Sequence, residues 1–394
     1  MRSIETCVVG GGPVGMLAAA CLHERGVSVR VVDADGERPV RGYACGLHPE
    51  TLRLLDRLGM LGRVSEHGHR VDRLAVYRNR NKVATLEFDR FAGAYPHVLT
   101  LRQHDLEHIL GDELQRRGVD VQRRRVVTEF TPRDRVVRMV TAPASSARDA
   151  LDVEPELGSS EDEVEYVIAA DGYHSYCREA LGIRLVEQQT PDAFALFEFE
   201  ADLSEMQHAA CIALTGDIVA AFWPLGPSIG RWTFQILDQL DKAPGLDRLR
   251  ELLEARAPWF RPRPERLCWS STAHFEQRVA ARFGGGRAWL AGDAAHVTSP
   301  IGFQSMNRGF VEVSELAGAI GAALAREAGH ESNFARFERE QQSEWRRLLG
   351  AQTRLVSDGP LSNLEAARLV RCLPATGADM QALMDQLWLR FVAA

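Results

Sequence analysis

The sequence predicts an α/β fold with a β-rich layer inserted into it and helices toward its C-terminal end. Three observations carry that prediction. A strand-like run, a glycine-rich turn and a helix-forming run follow one another within the first 25 residues; strand-like runs cluster in 71–99 and 185–279; and from Val311 onward the chain is mostly helix-forming. A chain of 394 residues that is 45% hydrophobic and 26% charged is long enough to bury a sizeable core and to divide into two domains.

Residues 4–9 read as the first strand, Gly10-Gly11-Gly12-Pro13-Val14-Gly15 follows, and residues 16–25 form a helix that Gly26 stops. Residues 27–32 give a second strand ending at Asp33, 18 residues past Gly15, close to the spacing of the acid that binds a ribose in Rossmann-like units. Each residue of the turn has a physical task. Gly10 permits the tight turn, Gly12 lets the backbone approach a pyrophosphate, and Gly15 lets helix and strand pack closely. Pro13 suits the first helical turn, where its missing N–H costs nothing. Strand, turn, helix, second strand and terminal acid together point to a bound dinucleotide. The later cluster Gly284-Gly285-Gly286 precedes a strand instead of a helix and reads as a turn.

Leu52, Leu55 and Leu58 share one helical face, as do Leu106, Ile109, Leu110 and Leu114, whose helix Gly118 ends. Residues 74–88 alternate as a hairpin around Asn79-Arg80-Asn81, and 194–201, 211–223 and 231–237 are further strand-like runs. The polar stretch 142–163 reads as a solvated loop, and residues 380–392 as a tail helix with Leu383, Leu387 and Phe391 on its apolar face.

The net charge of −7 and the lack of a basic stripe argue against nucleic acid and favour a small-molecule partner. Seven scattered cysteines without a CxxC pair suit reduced thiols in a cytoplasm. No apolar run approaches the roughly 20 residues that span a bilayer, and the first strand leaves no room for a signal peptide. Lysine occurs only at Lys82 and Lys242. His104-Asp105-Leu106-Glu107-His108 matches an inverted zinc-protease pattern, but Leu106 and Ile109 are core positions and no metal is expected. His67 and His69 read as loop residues, and His296 as a structural histidine.

Three separated segments resemble the class A FAD-dependent monooxygenases, the p-hydroxybenzoate hydroxylase-like family: GGGPVG with Asp33; AADGYHSYCREALG at 169–182, through Asp171, Gly172, Ser175 and Arg178; and GDAAHVTSPIGFQSMNRGF at 292–310. Leu101-Arg102-Gln103 before an amphipathic helix resembles the family as well. The resemblance implies an FAD-binding domain over 1–70, 100–184 and 280–394, its C-terminal helices included, and a substrate-binding β-sheet domain over 71–99 and 185–279. It implies NAD(P)H as a transient reductant, with O2 adding at flavin C4a to give a hydroperoxide whose distal oxygen passes to an electron-rich aromatic carbon.

Site residues follow from the same resemblance. Asp293, beside Gly292, accepts hydrogen bonds from the ribityl chain, and Asp33 from the adenosine ribose. Pro300 lies beside the reacting edge of the ring. Backbone groups from Gly302 through Met306 to Asn307, at a helix start, stabilise the charge that reduced flavin develops. Arg102, Gln103, Asp171 and Arg178 are implied in cofactor contacts. Tyr43 and Glu50 stand where the family often has arginines, with Arg41 a candidate substitute. Tyr43, His48 and His174 are candidate bases toward a phenol; Phe222, Trp223 and Phe303 are candidate pocket residues. Phe303 and Ser305 replace two family glycines, and if Phe303 requires φ above zero the backbone carries roughly 1–3 kcal/mol of strain. The expected protein is a single-component aromatic hydroxylase, monomer or homodimer. A flavin halogenase, a flavin reductase and a non-catalytic accessory protein are the alternatives.

Overall fold

The protein is described from a computed structural model that covers residues 4–36, 46–144, 158–237, 244–350 and 353–393. Two sheets organise it. The first has six strands in the order Gly284–Gly285, Ala288–Leu290, Tyr166–Ala169, Thr6–Val9, Val29–Asp33 and Asp120–Arg123. Thr6–Val9 pairs in parallel on both sides, with Tyr166–Ala169 and with Val29–Asp33. A central strand of a parallel sheet is covered on both faces by the crossover elements, and Thr6–Val9 is wholly buried.

The helix Pro13–Glu24 crosses from this central strand to Val29–Asp33. Met16 through Leu22 are all buried. The run of small residues Ala18, Ala19 and Ala20 suits close packing against the long helix Gln304–Leu324, which it touches along its length.

The second sheet has eight strands in the order His296–Val297, Arg266–Ala280, Leu185–Glu200, Ile229–Ile236, Ile218–Pro224, Ala209–Thr215, Arg73–Arg78 and Asn81–Glu87. Successive side chains on a strand face opposite ways, and this sheet separates two cores on that basis. Phe194 and Leu196 join the main core, while Ala195, Phe197 and Phe199 join a second core covered by the helix Leu246–Arg256. Trp223 belongs to the first of these and Phe222 to the second.

Several elements differ from the sequence expectation. The tail is not one helix over 380–392: the helix Gly377–Gln386 ends, Trp388 takes φ +58, and Leu389–Ala393 pairs antiparallel with Thr353–Ser357. Its apolar residues satisfy helical and alternating patterns alike, so periodicity could not separate the two. The 15-residue strand Arg266–Ala280 has no counterpart among the expected strands. Most of it is half-buried with mixed polarity on both faces, which erases the alternation that announces a strand. Within 142–163, the polar Ser160–Val164 is a strand paired with Val137–Pro143, and residues 145–157 lie outside the described residues.

The N-terminal end of Gln304–Leu324 is fastened by one side chain. Asn307 Oδ1 accepts from the His48 backbone N–H and the Thr51 hydroxyl, both at 2.8 Å. Its Nδ2 donates to the Gly46 and Phe303 carbonyls, also at 2.8 Å. Because all four partners are buried, Asn307→Ala should lower unfolding free energy by about 2–4 kcal/mol, mostly from stranded polar groups. Urea denaturation beside Asn307→Asp, which keeps an acceptor but loses the amide donors, measures it.

Candidate active site

The glycine turn serves three separate needs. Gly10 has φ +106, and a Cβ there would fall 2.1 Å from the Ala170 carbonyl oxygen; a Cβ on Gly15 would fall 2.0 Å from the Gly10 carbonyl oxygen. Both positions exclude side chains because backbone meets backbone. A Cβ on Gly12 would meet nothing within 4 Å; this residue caps the helix and opens onto a cavity.

That cavity, about 370 Å³, is continuous from Asp33 and Arg123, past Gly12 and Pro13, to Asp293, Pro300 and Phe303. Its size is in the range of cofactor and small-molecule sites. At one end the Arg123 guanidinium donates to Asp33 at 3.1 Å. Burial pushes the Asp33 carboxyl above its ordinary value, and the Gly11 backbone N–H and Arg123 offset only part of that. At the other end the Ser305 hydroxyl donates to Asp293 at 2.8 Å. Burial raises the Asp293 carboxyl too, with the Ser305 bond and His296 holding it back in part. Two carboxylate acceptors at opposite ends, Asp33 half-buried and Asp293 open to the cavity, with a helix N-terminus between them, form a donor-seeking and anion-tolerant channel. The arrangement fits a dinucleotide with a sugar hydroxyl at each end and a diphosphate in the middle, as FAD has.

Residues 299–303 form the wall at the Asp293 end. Phe303 takes φ +56 and ψ +26, so the left-handed conformation considered from sequence is real. It costs roughly 1–2 kcal/mol for a residue with a Cβ, against about 1.5–3 kcal/mol from burying the ring. The ring lies 4.9 Å from that of Trp223 and so close above Gly46 that a Cβ there would meet it at 2.3 Å. Trp223 Nε1 in turn donates to the Ile301 carbonyl at 3.2 Å. From the other side the C-terminal segment clamps the loop: a Cβ on Gly302 would come within 2.9 Å of the Arg371 carbonyl oxygen, and Gln304 Nε2 donates to the Leu373 and Ala375 carbonyls.

Behind this wall, His296 and Glu312 form a fully buried pair at 2.6 Å. Trp345 Nε1 donates to the same carboxylate at 2.8 Å, and its ring stacks on His296 at 4.0 Å. Burial pushes Glu312 up, but His296, Arg308 and Trp345 outweigh it and hold the carboxyl below its ordinary value. His296 therefore anchors the GDAAH segment. Ser305, standing where a family glycine is usual, links it to Asp293 through a 3.4 Å contact with His296 Nδ1.

Of the expected site residues, Gly12, Pro13, Gly15, Asp33, Gln103, Gly292, Asp293, Pro300, Phe303 and Met306 line the cavity. Others sit elsewhere. His48 is fully buried, its Nε2 against the Gly302 carbonyl at 2.8 Å, and burial lowers its pKa to about 3. It is a neutral strut under the loop, not a base facing the cavity. Arg102 pairs with Glu198, which Arg231 also meets at 2.8 Å, so it bridges to the second sheet. Asp171 accepts from the Ser175 hydroxyl and the Cys177 N–H, capping a short helix. Arg178 donates to the Ala294 and Tyr173 carbonyls and ties the second motif to the third. Asn307 and Gly302 shape the wall instead of lining it. Trp223 supports Phe303 from behind, and Phe222 packs on Phe260 in the second core, so neither lines the cavity. Arg41 and Tyr43 lie outside the described residues.

The cavity also takes in residues that sequence reasoning passed over. Arg123 ends the strand beside Asp33, Glu107 stands one turn beyond Gln103 and accepts from it at 2.8 Å, and Phe275 comes from the unanticipated strand. The Gln103–Glu107 pair had a signal, an i, i+4 spacing on one helix face. Arg123 and Phe275 had none, because strand pairing alone brings them here.

A family model described as an FAD binding domain matches residues 3–348. The chain belongs to this family, that of the class A flavin monooxygenases. It is 29% identical over 320 residues to 6-methylpretetramide 4-monooxygenase of Streptomyces rimosus, covering 79% of this chain and 55% of that protein. It is 25% identical to pentachlorophenol 4-monooxygenase of Sphingobium chlorophenolicum, covering 78% and 56%. The chain thus spans little more than half the length of these relatives. The crystal structure of p-nitrophenol 4-monooxygenase from Pseudomonas putida DLL-E4 shares the fold at a TM-score of 0.77, with 22% identity and 98% and 97% of the two chains covered. Among the described residues no helix is long and apolar enough to cross a membrane, and no cluster of side chains is suited to a metal ion.

Two predictions follow from this geometry. Asp293→Ala should weaken FAD binding by about ten- to a hundredfold, the worth of a hydrogen bond to a charged acceptor, measured by flavin fluorescence titration. The second concerns pH. His48 is held far below its ordinary value of 6.5, so the unfolded chain takes up its proton first as pH falls. Its contribution is fully present above pH 6.5 and is lost as pH drops toward about 3. Between pH 7 and 5 the loss should approach about 2 kcal/mol. Urea midpoints should show a smaller drop in His48→Gln, which keeps a neutral donor.

Proposed function

We propose that this chain is an FAD-dependent monooxygenase that uses NAD(P)H and O2 to hydroxylate a small aromatic, phenolic or polycyclic, substrate. The observation that carries the reading is the single cavity joining the dinucleotide turn to the Pro300 loop, with a carboxylate acceptor at each end, Asp33 and Asp293. When bound, FAD supplies the electron transfer and oxygen activation that side chains lack. Asp33, Asp293 and the Gly10–Gly15 turn would hold it. The chain's own work is to position and to exclude water. Pro300, Phe303 and Met306 line the inner end with apolar surface, and water-free surroundings protect reactive oxygen chemistry from wasteful side reactions. The start of the Gln304–Leu324 helix brings a partial positive charge to the same end.

The division of labour expected from sequence supports the same reading, with 71–99 and 185–279 shaping the substrate side and the remainder holding the cofactor. We further propose that the protein works in the cytoplasm as a monomer or homodimer without nucleic acid. Lys82 sits in the hairpin formed by Arg73–Arg78 and Asn81–Glu87, opposite Tyr77, a poor place for the essential lysine of a halogenase.

Purified protein should retain FAD and, with a suitable phenol, consume NAD(P)H and O2 together while the product gains one oxygen atom. An oxygen electrode with mass spectrometry reads this out, and Lys82→Met should perform as well as the native chain. Substrate reduction without oxygen uptake would establish a reductase instead. Protein that stays colourless after FAD is supplied would point to an accessory role.

A further inference from the structure

Asp293 has one hydrogen-bond partner among the described residues, the Ser305 hydroxyl, which donates to its Oδ1 at 2.8 Å. The carboxylate sits in a single short helical turn, Gly292–Ala294, and is open to the cavity. An acid on so short a turn, with open space beside it, samples several rotamers unless a neighbour holds it. Among the described residues Ser305 is that neighbour, and it takes up one carboxylate oxygen while Oδ2 stays unengaged.

Ser305 is itself held from behind. It is the second residue of the helix Gln304–Leu324, whose start Asn307 fastens. Its Oγ also lies 3.2 Å from the His296 carbonyl oxygen and 3.4 Å from His296 Nδ1. A hydroxyl carries one hydrogen, and the charged acceptor at the shortest distance takes it. His296 is locked in turn by Glu312 at 2.6 Å and by the Trp345 ring stacked on it at 4.0 Å. Glu312, His296, Ser305 and Asp293 thus form a series that runs from a fully buried pair to the cavity wall, each member fixed by the one behind it.

Two further observations single out the serine. The far end of the channel repeats the arrangement, since the Arg123 guanidinium donates to one oxygen of Asp33 at 3.1 Å; each cavity acid has a protein donor on one oxygen. The hydroxyl is also not needed as a helix cap, because the N-cap is Phe303 and no side chain caps this helix. Ser305 stands where the family has a glycine, so the link is this chain's own.

We propose that Ser305 is a positioning residue for the cofactor: by fixing Asp293 Oδ1 against the His296–Glu312 anchor, its hydroxyl leaves Oδ2 as the acceptor offered to a sugar-alcohol hydroxyl of FAD. The inference rests on the reading of the cavity as an FAD site and deepens it. An acceptor ordered before binding spares the cofactor the cost of ordering it.

FAD titrated into flavin-free protein, followed by flavin fluorescence, tests this. Ser305→Ala should weaken FAD binding by about three- to tenfold, the scale of one hydrogen bond. Ser305→Thr, which keeps the hydroxyl, should restore most of that loss. In an Asp293→Ala background Ser305→Ala should cost nothing further, because the two residues act as a unit; a serine that merely supported the helix start would cost the same in both backgrounds. A second measurement needs no cofactor. With isotope-labelled aspartate, the carboxyl carbon signal missing from Asp293→Asn identifies Asp293, and its titration in flavin-free protein should move to higher pH in Ser305→Ala, since a donor favours the charged form. Native affinity in Ser305→Ala, equal losses with and without Asp293, no rescue by threonine, or an unmoved carboxyl titration would overturn the proposal. Native protein that binds no FAD would overturn the cofactor reading instead, and the carboxyl titration would still decide whether Ser305 holds Asp293.

Discussion

The Asn307 side chain is the constraint on which the site depends. Four buried hydrogen bonds from one amide hold the start of the Gln304–Leu324 helix against Gly46, His48, Thr51 and Phe303. With that end fixed, the loop 299–303 has little freedom. His48 supports the Gly302 carbonyl from one side and the Arg371–Ala375 backbone confines it from another. Ser299, Pro300 and Phe303 of the loop line the cofactor channel, so the loop's position sets the shape of that wall. A buried amide suits this task because it offers acceptor and donor at once and stays neutral across pH.

The two departures from the family pattern, Phe303 and Ser305, become intelligible against that wall. A left-handed residue with a large side chain is tolerated because the ring is packed between Trp223 and Gly46, so apolar contact offsets the backbone strain. Ser305 adds a hydroxyl where glycine has none and connects Asp293 to the buried His296–Glu312 pair. The substitutions change how the wall is braced while the channel beside it stays open. Neither removes an acceptor that a dinucleotide would use.

Much of the cofactor channel was legible in the chain because its signals are local. Gly10, Gly12, Gly15 and Asp33 lie within one βαβ unit, whose spacing is set by the length of a strand and a helix. Asp293 and Pro300 were legible by resemblance and do line the channel. Arg102, Asp171 and Arg178, implied in cofactor contacts by the resemblance, each make hydrogen bonds within the protein, to Glu198, at a helix cap and to the Ala294 carbonyl. A sequence shows that such a group exists but not which way it points.

What the sequence alone determined is the α/β class and the dinucleotide turn, which rest on short-range periodicity and spacing, and the family, which rests on the resemblance of three separated motifs. The facing of the second sheet was decided only in three dimensions. Phe222 and Trp223 are neighbours in the chain, yet one lies in each core, since a strand turns successive side chains to opposite faces and only the register says which face meets the cofactor side. The approach of Arg371 to Gln277 was decided there as well. Residues some 90 positions apart meet through packing of a helix on a sheet, and nothing local in either segment encodes that contact.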